Sequence, residues 1–241
     1  MNRLFVIAAM VVVLSGGLVS ASPAHADPRI TISSSKGASA RPLQHRYNLR
    51  LPALRNAKPK ARRTFTTIVR GVVDQQYRFL IKWRNRYNPT PQCNNRTKNS
   101  MFRARTRKGI IGRYAMATIT VNTWPACGGV DHAVARTINL DLRTGRSLRL
   151  DNLIDRRAAR RAVDWYVSYG VRTVRRGTCE ASEYRRLNMY NWSLKRRGLQ
   201  FWFDKYAVSY GYCGAVSVTV PWRDLPLTAR GEQLAERVRR A

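Results

Sequence analysis

The sequence predicts an α+β fold, in which an antiparallel sheet packs against a long N-terminal amphipathic helix and a second central helix. Apolar residues recur at helical spacing from Lys58 to Arg86 and again from Asp155 to Arg176, and other segments alternate apolar with polar residues. These periods are those of an amphipathic helix and a half-buried strand. We expect a single domain over residues 43–241, since a chain of this size is long enough for one well-buried core and short for two.

The first 26 residues have the form of a signal peptide. Arg3 precedes an apolar run from Leu4 to Leu14, and Ala24-His25-Ala26 provides a cleavage site before Asp27. The run is shorter than a membrane span and is interrupted by Ser15-Gly16-Gly17, which disfavours a membrane anchor. We therefore expect a secreted protein that is extracellular or associated with the cell envelope.

Residues 27–42 are rich in Ser, Gly and Ala and are predicted to form a flexible leader. A short strand is expected at Arg46–Leu51, followed by the helix over Lys58–Arg86, which ends before Asn88-Pro89. Met101–Arg107 and Ile110–Trp124 are predicted to form antiparallel strands about Lys108-Gly109.

The stretch Gly128–Asp155 combines a glycine turn, a strand, a tight reversal and the start of a helix. From Val134 to Leu142 apolar and polar side chains alternate, which predicts a half-buried strand. Asp141 can hydrogen-bond the backbone that follows it, and Gly145 is free to adopt a positive φ, so we expect the chain to reverse here. Asp155 is expected to cap the second helix.

This central helix is predicted to continue through Arg176, and the segment Cys179–Met189 to be a less regular helical piece. Alternating apolar residues in Leu199–Phe203 and Val216–Val220 predict two further strands. The segment Leu225–Arg240 is predicted to be a basic C-terminal helix or tail.

Three groups of residues resemble a known signature. They are Gly128-Gly129 with His132 and the segment Thr137–Leu153, the opening Tyr47–Pro52, and Gly198–Pro221 with its paired tyrosines. In their order along the chain, these groups resemble the motifs of a secreted bacterial domain family. The family includes the extracellular lysozyme-sensing domain of RsiV-type anti-sigma factors and a secreted immunogenic protein of mycobacteria. The resemblance implies an α+β fold and a non-catalytic extracellular role.

Four cysteines remain in an exported chain, which favours disulfides. Three pairings are possible. We expect Cys93–Cys127 and Cys179–Cys213, since each pair is 34 residues apart and lies within one local unit of the predicted fold.

Positive charge dominates the composition. The formal net charge is +32, with 45 basic and 13 acidic residues, and 37 of the basic residues are Arg. Such a surface attracts anions of many kinds. Arg suits bidentate contact with phosphate or carboxylate, but a GC-rich genome also favours Arg codons, and the sequence leaves both explanations open. Lysozyme, itself usually strongly basic, is disfavoured as a partner on charge grounds.

The predicted binding residues lie mainly on the central helix. Its outer face would form a basic ribbon about 30 Å long, offset only by Asp164, and a solvated helix face is the alternative interpretation. Trp202, on the strand face opposite Phe201 and Phe203, is either covered by a helix or available to a ligand. The candidate residues, assigned to binding and not to catalysis, are Arg157, Arg160, Arg161, Arg172, Arg175, His132 and Trp202.

Few residues are available for catalysis. After loss of the signal peptide only His45 and His132 remain, and a ribonuclease-like enzyme using both is one alternative function. A cell-wall hydrolase is another, although no nucleophile motif identifies one. Asp131 could orient His132, but adjacent residues of a strand point to opposite faces. Two histidines and scattered acids form no recognisable metal cluster, so we expect neither metal nor cofactor.

The sequence thus favours a secreted, non-catalytic binding module. Its expected partner is an anionic polymer or surface: an envelope glycopolymer, a phospholipid surface or a nucleic acid. A protein partner is also compatible with the sequence.

Overall fold

The computed structural model describes residues 26–39, 45–86, 101–124, 131–173, 178–183 and 185–241. The predicted signal peptide, apart from Ala26, lies outside the described residues, as do Cys93, Cys127 and Arg175. Among the described residues, no helix is long and apolar enough to span a membrane.

The first sheet has six strands that neighbour one another in sequence order. They are β1 (Arg29–Ser39), β2 (His45–Arg55), β3 (Met101–Ile111), β4 (Tyr114–Trp124), β5 (His132–Asp141) and β6 (Arg146–Ser147). Neighbours pair antiparallel, except that β2 and β3 run parallel from Arg46↔Met101 to Leu49↔Ala104.

The second sheet has five antiparallel strands in the order β8-β7-β11-β10-β9. They are β7 (Val171–Thr173), β8 (Thr178–Cys179), β9 (Trp192–Lys195), β10 (Gly198–Phe203) and β11 (Val216–Pro221). Three α-helices accompany the sheets: α1 (Pro59–Arg86), α2 (Arg156–Ser168) and α3 (Ala229–Arg240).

The predicted fold class is wrong, because the described chain is mostly β, with eleven strands in two sheets. A helix does occupy Pro59–Arg86, but it follows β1 and β2, so the domain does not begin with a helix.

The first sheet ends at β5 and the short β6, because a loop forms hydrogen bonds with the remaining free edge of β5. Ala135 N donates to Asp204 Oδ1 at 3.0 Å, and Lys205 N donates to Ala133 O at 2.8 Å.

The segment predicted as a flexible leader contains strand β1, so that prediction is wrong for Arg29–Ser39. All eleven residues of β1 pair with β2, from Arg29↔Arg55 to Ser39↔His45. Ile30 is buried in the core under α1. Pairing with a neighbouring strand thus orders residues whose own composition favours mobility.

The reversal after β5 is confirmed. Asp141 Oδ1 accepts hydrogen bonds from Arg143 N at 2.8 Å and Thr144 N at 3.3 Å, and Gly145 has φ +66°. Gly145 also lies against the first turn of α1, where its carbonyl accepts a hydrogen bond from Thr64 Oγ1 at 3.0 Å. The reversal therefore fixes the start of the long helix.

Helix α2 is shorter than predicted. Asp155 caps it as expected, accepting hydrogen bonds from Arg157 N and Ala158 N. It ends at Ser168 instead of Arg176, because Gly170 adopts φ +101° and the chain continues as β7. The helical piece predicted over Cys179–Met189 is also wrong, since its described residues form no helix.

The Cys179–Cys213 disulfide is confirmed. It ties β8 to the short 3-10 turn Gly211–Cys213. The C-terminal segment is not a tail, because α3 packs Leu234, Ala235 and Val238 into the core of the second sheet.

Two large hydrophobic cores form, one under helix α1 and the other under helices α2 and α3. Phe65, Val69 and Val72 of α1 pack on one face of the first sheet. Helices α2 and α3 pack on one face of the second sheet. The other faces meet where Trp202 of β10 contacts Ala133 and Ala135 of β5. Asn139 of β5 strengthens this junction, since its amide donates to Trp192 O at 2.6 Å and accepts from Leu194 N at 3.3 Å.

We expect Gly145→Ala to lower the free energy of unfolding by about 1 to 2 kcal/mol, because a side chain at positive φ is strained. The added Cβ would also lie 3.0 Å from Ala61 N. Chemical denaturation monitored by circular dichroism measures the change. Gly71→Ala in α1 is the matched control, since its Cβ would meet nothing within 4 Å. That variant should gain up to about 1 kcal/mol; equal effects of the two substitutions would contradict this account of Gly145.

Candidate functional site

The predicted arginines of α2 line a surface groove of about 600 Å³. Arg157, Arg160 and Arg161 share this groove with Asp164, Glu183, Arg185 and Leu187. Arg185 Nε lies 3.4 Å from Asp164 Oδ1, so the carboxylates of Asp164, which is paired with Arg185, and Glu183 offset part of the positive charge. The surface is more mixed in charge than the helix sequence alone predicts.

The continuous basic ribbon does not form. Helix α2 has 13 residues, which gives a length of about 20 Å instead of 30 Å. Arg172 lies on β7, where it is exposed and pairs with Ser217 and Thr178 of the neighbouring strands. Arg175 lies outside the described residues.

His132 occupies a packed position at the start of β5. Its ring stacks on Phe79 of α1 with centroids 4.5 Å apart, and its Nδ1 is buried without a hydrogen-bond partner in the described chain. Asp131 does not orient it, since this carboxylate accepts a hydrogen bond from Lys205 Nζ. Burial holds the pKa of His132 below its ordinary value. This environment favours the neutral imidazole and a packing role.

The two histidines of the ribonuclease alternative are not neighbours. His45 begins β2 and His132 begins β5, with β3 and β4 between them in the sheet. Three strand spacings separate their backbones, or about 14 Å. The arrangement therefore gives the ribonuclease alternative no support.

Trp202 is covered, but by the first sheet and not by a helix. Only 1% of the residue is exposed, and it packs with Ala133, Ala135 and Ala215. The guanidinium of Arg107 lies over its ring, 5.7 Å from the centroid. Trp202 thus lies between the sheets and offers no open stacking surface.

A second basic surface was not predicted from the sequence. Arg50 of β2 and Arg103, Arg105 and Arg107 of β3 line a groove of about 540 Å³ on the first sheet, which we call the arginine face. Phe102 and Ala104 point into the α1 core, so the alternation of a strand directs the arginines to the opposite face. Asn48 and Thr120 complete the polar lining.

The second sheet leaves this surface open. Its strands β9 and β10 cover β4 and β5, while the arginine face lies over β2 and β3. No Asp or Glu is among the described residues that line the groove. Charge in this groove is therefore offset less than in the groove along α2.

Arg103 is held in place by its surroundings. Its guanidinium lies 5.7 Å from the centroid of the Trp124 ring. Its Nε is buried and has no hydrogen-bond partner among the described residues. A buried charged donor without an acceptor is costly, and an anion would satisfy it.

The sequence contains two patterns that indicate the arginine face. Arg103, Arg105 and Arg107 occupy alternate positions of a segment that was predicted to be a strand. In addition, residues 28–130 contain 22 basic residues and a single acid, Asp74. Asp74 lies on α1, which packs on the opposite face of the sheet. The uneven distribution of acids thus predicts that the most basic surface lies in residues 28–130.

Among the described residues, no group of three or more His, Cys, Asp or Glu side chains could hold a metal ion.

Comparison with solved structures identifies similar folds. The fold resembles that of DUF3298 family proteins. A member from Bacteroides fragilis NCTC 9343 gives a TM-score of 0.57 at 9% identity, over 89% of this chain and 98% of its own. A DUF3298 family protein from Pseudomonas aeruginosa PAO1 gives 0.54 at 12% identity, over 86% and 97%. No protein-family model and no curated protein matches the sequence. At these identities the likeness concerns the fold alone.

The lowered pKa of His132 predicts a pH dependence of stability. Above the ordinary pKa of His, the imidazole is neutral in the folded and in the unfolded protein, so its protonation does not affect the free energy of unfolding. As the pH falls through about 6.5, the unfolded chain takes up the proton first, and stability decreases. Denaturation midpoints measured from pH 7.5 to 5 should therefore decline less for His132→Phe, which preserves the stacking on Phe79. Identical pH profiles of the variant and the wild type would contradict this assignment.

Proposed function

We propose that this protein is a secreted, non-catalytic binding module that holds a linear polyanion on the arginine face. The observation that carries the proposal is the groove itself. Four arginines line it, and none of its described lining residues is acidic. Arg forms bidentate hydrogen bonds with phosphate and carboxylate groups, which suits this arrangement to anionic polymers.

The spacing of the arginines favours a chain-like ligand. Alternate residues of a strand are about 6.7 Å apart, so Arg103, Arg105 and Arg107 present positive charges at a regular interval along β3. A polymer with regularly repeated acidic groups can contact several of them at once. The second sheet packs on the adjoining strands β4 and β5, so it borders the groove on one side. Such a groove favours a linear chain over a flat lipid surface.

Charge segregation supports the same proposal. The single acid of residues 28–130 lies on α1, behind the sheet. The described residues that line the groove include no carboxylate, so little negative charge within the groove offsets its arginines. A concentrated field of one sign accelerates association with an anion and makes binding salt-dependent.

The expected location agrees with an envelope ligand. The Cys179–Cys213 disulfide is compatible with an extracellular environment, and the N-terminal sequence has the form of a signal peptide. An anionic glycopolymer of the cell envelope is our preferred ligand class. Phospholipid and nucleic acid remain competing ligands for the test.

The narrower kinship with RsiV-type extracellular domains is part of this proposal. It rests on the order of the sequence motifs, among them the Asp141–Gly145 reversal, and the DUF3298-like fold is compatible with it. We do not extend the kinship to lysozyme binding. A chain whose full sequence has a formal net charge of +32 repels a basic enzyme at long range.

We expect the triple variant Arg50→Gln/Arg103→Gln/Arg105→Gln to lose binding to an anionic glycopolymer. The matched control, Arg157→Gln/Arg160→Gln/Arg161→Gln, removes the same charge from the α2 groove and should bind nearly as the wild type does. Affinities would be measured across a salt series for the glycopolymer, single-stranded RNA, anionic vesicles and a neutral glycan.

The salt dependence provides a quantitative check. Loss of three contacts to a single-stranded polyanion should reduce the slope of log K against log salt by about 2. Equal losses in both triple variants would indicate nonspecific attraction to net charge. Loss confined to the α2 variant would move the binding site to the helix and overturn the proposal.

A further inference from the structure

A separate cavity of about 150 Å³ lies between the two sheets. Strands β3 and β4 provide one wall, and β9 and β10 provide the other. The polar residues that matter for its chemistry are Ser193, Lys195, Trp202 and Arg107. Arg107 also borders the arginine face, whereas the first three residues belong to this cavity and not to that face.

Two buried donors in the cavity lack acceptors. Ser193 is 3% exposed and Trp202 is 1% exposed. Neither Ser193 Oγ nor Trp202 Nε1 has a hydrogen-bond partner in the described part of the chain. The equally buried Trp222 is different, since its Nε1 donates to Arg196 O at 3.1 Å. Burial of an indole in this protein therefore does not by itself leave its N–H unpaired.

The charges around the cavity are positive. The Arg107 guanidinium lies 5.7 Å from the centroid of the Trp202 ring. Lys195 is exposed as a residue, but its ammonium is partly desolvated. This desolvation and, to a lesser extent, repulsion by Arg107 hold the pKa of Lys195 below its ordinary value. No carboxylate is among the described residues that line the cavity. An anion in this position would offset the repulsion between the two cations.

We propose that the inter-sheet cavity binds one small oxyanion, a free carboxylate or phosphate, whose oxygens accept hydrogen bonds from Trp202 Nε1 and Ser193 Oγ. Lys195 and Arg107 supply the opposing charge. Pockets for larger organic ligands usually exceed about 300 Å³, so this cavity of about 150 Å³ suits a small anion and not a sugar ring. The proposal goes beyond polyanion binding and does not depend on it.

The test uses the indole N–H signals of the nitrogen-15-labelled protein. Inorganic phosphate and acetate are titrated separately at constant ionic strength. One indole signal, identified by its absence in Trp202→Phe, should shift saturably with at least one of the two anions. A response to phosphate alone or to acetate alone assigns the class of the oxyanion.

A pair of serine variants separates binding from packing. Ser193→Ala should weaken anion binding about tenfold or more, since a hydrogen bond to a charged group is lost. Ser209→Ala is the matched control, because Ser209 Oγ is also buried without a partner but does not line the cavity. It should keep the wild-type affinity.

Thermal unfolding provides a second readout. Without added anion, Ser193→Ala should unfold at the wild-type temperature or about 2 to 4 °C higher, because an unpaired buried hydroxyl has been removed. At the same anion concentration, phosphate or acetate should raise the unfolding temperature of the wild type and Ser209→Ala by more than that of Ser193→Ala.

The proposal is overturned if neither anion moves the Trp202 signal, or if Ser193→Ala binds as tightly as Ser209→Ala. The first outcome would mean that the cavity holds water alone, and the second would mean that the anion binds without a hydrogen bond from Ser193. They leave the arginine-face proposal untouched, since Arg50, Arg103 and Arg105 take no part in this test. Conversely, loss of polymer binding in the triple variant leaves the Trp202 response unchanged.

Discussion

The side chain of Asn139 joins the two sheets, and the rest of the arrangement depends on this contact. Its buried amide donates to Trp192 O and accepts from Leu194 N, while Thr137 Oγ1 accepts from Trp192 N at 2.9 Å. The free edge of β9, which would otherwise expose unpaired backbone groups, is satisfied by polar side chains of β5. Loss of one partner would leave a buried polar group unsatisfied, at a cost of about 1 to 3 kcal/mol. The second sheet is therefore held against β4 and β5, and not elsewhere on the first sheet.

This placement creates both candidate sites. Because the second sheet covers β4 and β5, the adjoining face over β2 and β3 stays open. Strand β3 contributes to the core and the surface at once: Phe102 and Ala104 pack under α1, and the alternate arginines face outward. Where the sheets separate, the packing leaves a cavity next to Arg107 and the unpaired donors Ser193 and Trp202. The proposed polymer site and the proposed small-anion site thus share Arg107 but otherwise use different donors.

Local features of the fold were predictable, since they depend on neighbours in sequence. The Asp141–Gly145 reversal and the Asp155 cap follow from residue type and spacing. The Cys179–Cys213 disulfide was the expected choice among three possible pairings, and it joins residues 34 positions apart. The errors arose at β1, where a distant contact decided the outcome, and at the end of α2, where the apolar pattern continues past a helix-ending glycine. Full-length pairing with β2 makes β1 a strand, although its Ser- and Gly-rich sequence favours mobility. The early end of α2 follows from Gly170, whose positive φ starts β7, whereas the apolar pattern alone extended the helix.

The sequence by itself determined which side chains share a face, because alternation along a strand and the stripe of a helix are properties of the local backbone. It also determined the excess of positive charge and its concentration, with one acid, in residues 28–130. Only the tertiary structure decided which faces are covered. Packing against Ala133 and Ala135 buries Trp202 and makes it a cavity wall instead of a ligand surface. The parallel pairing of β2 with β3 places Arg50 beside the arginines of β3. These contacts, like the hydrogen bonds of Asn139, join residues more than 50 positions apart, and no local pattern encodes them.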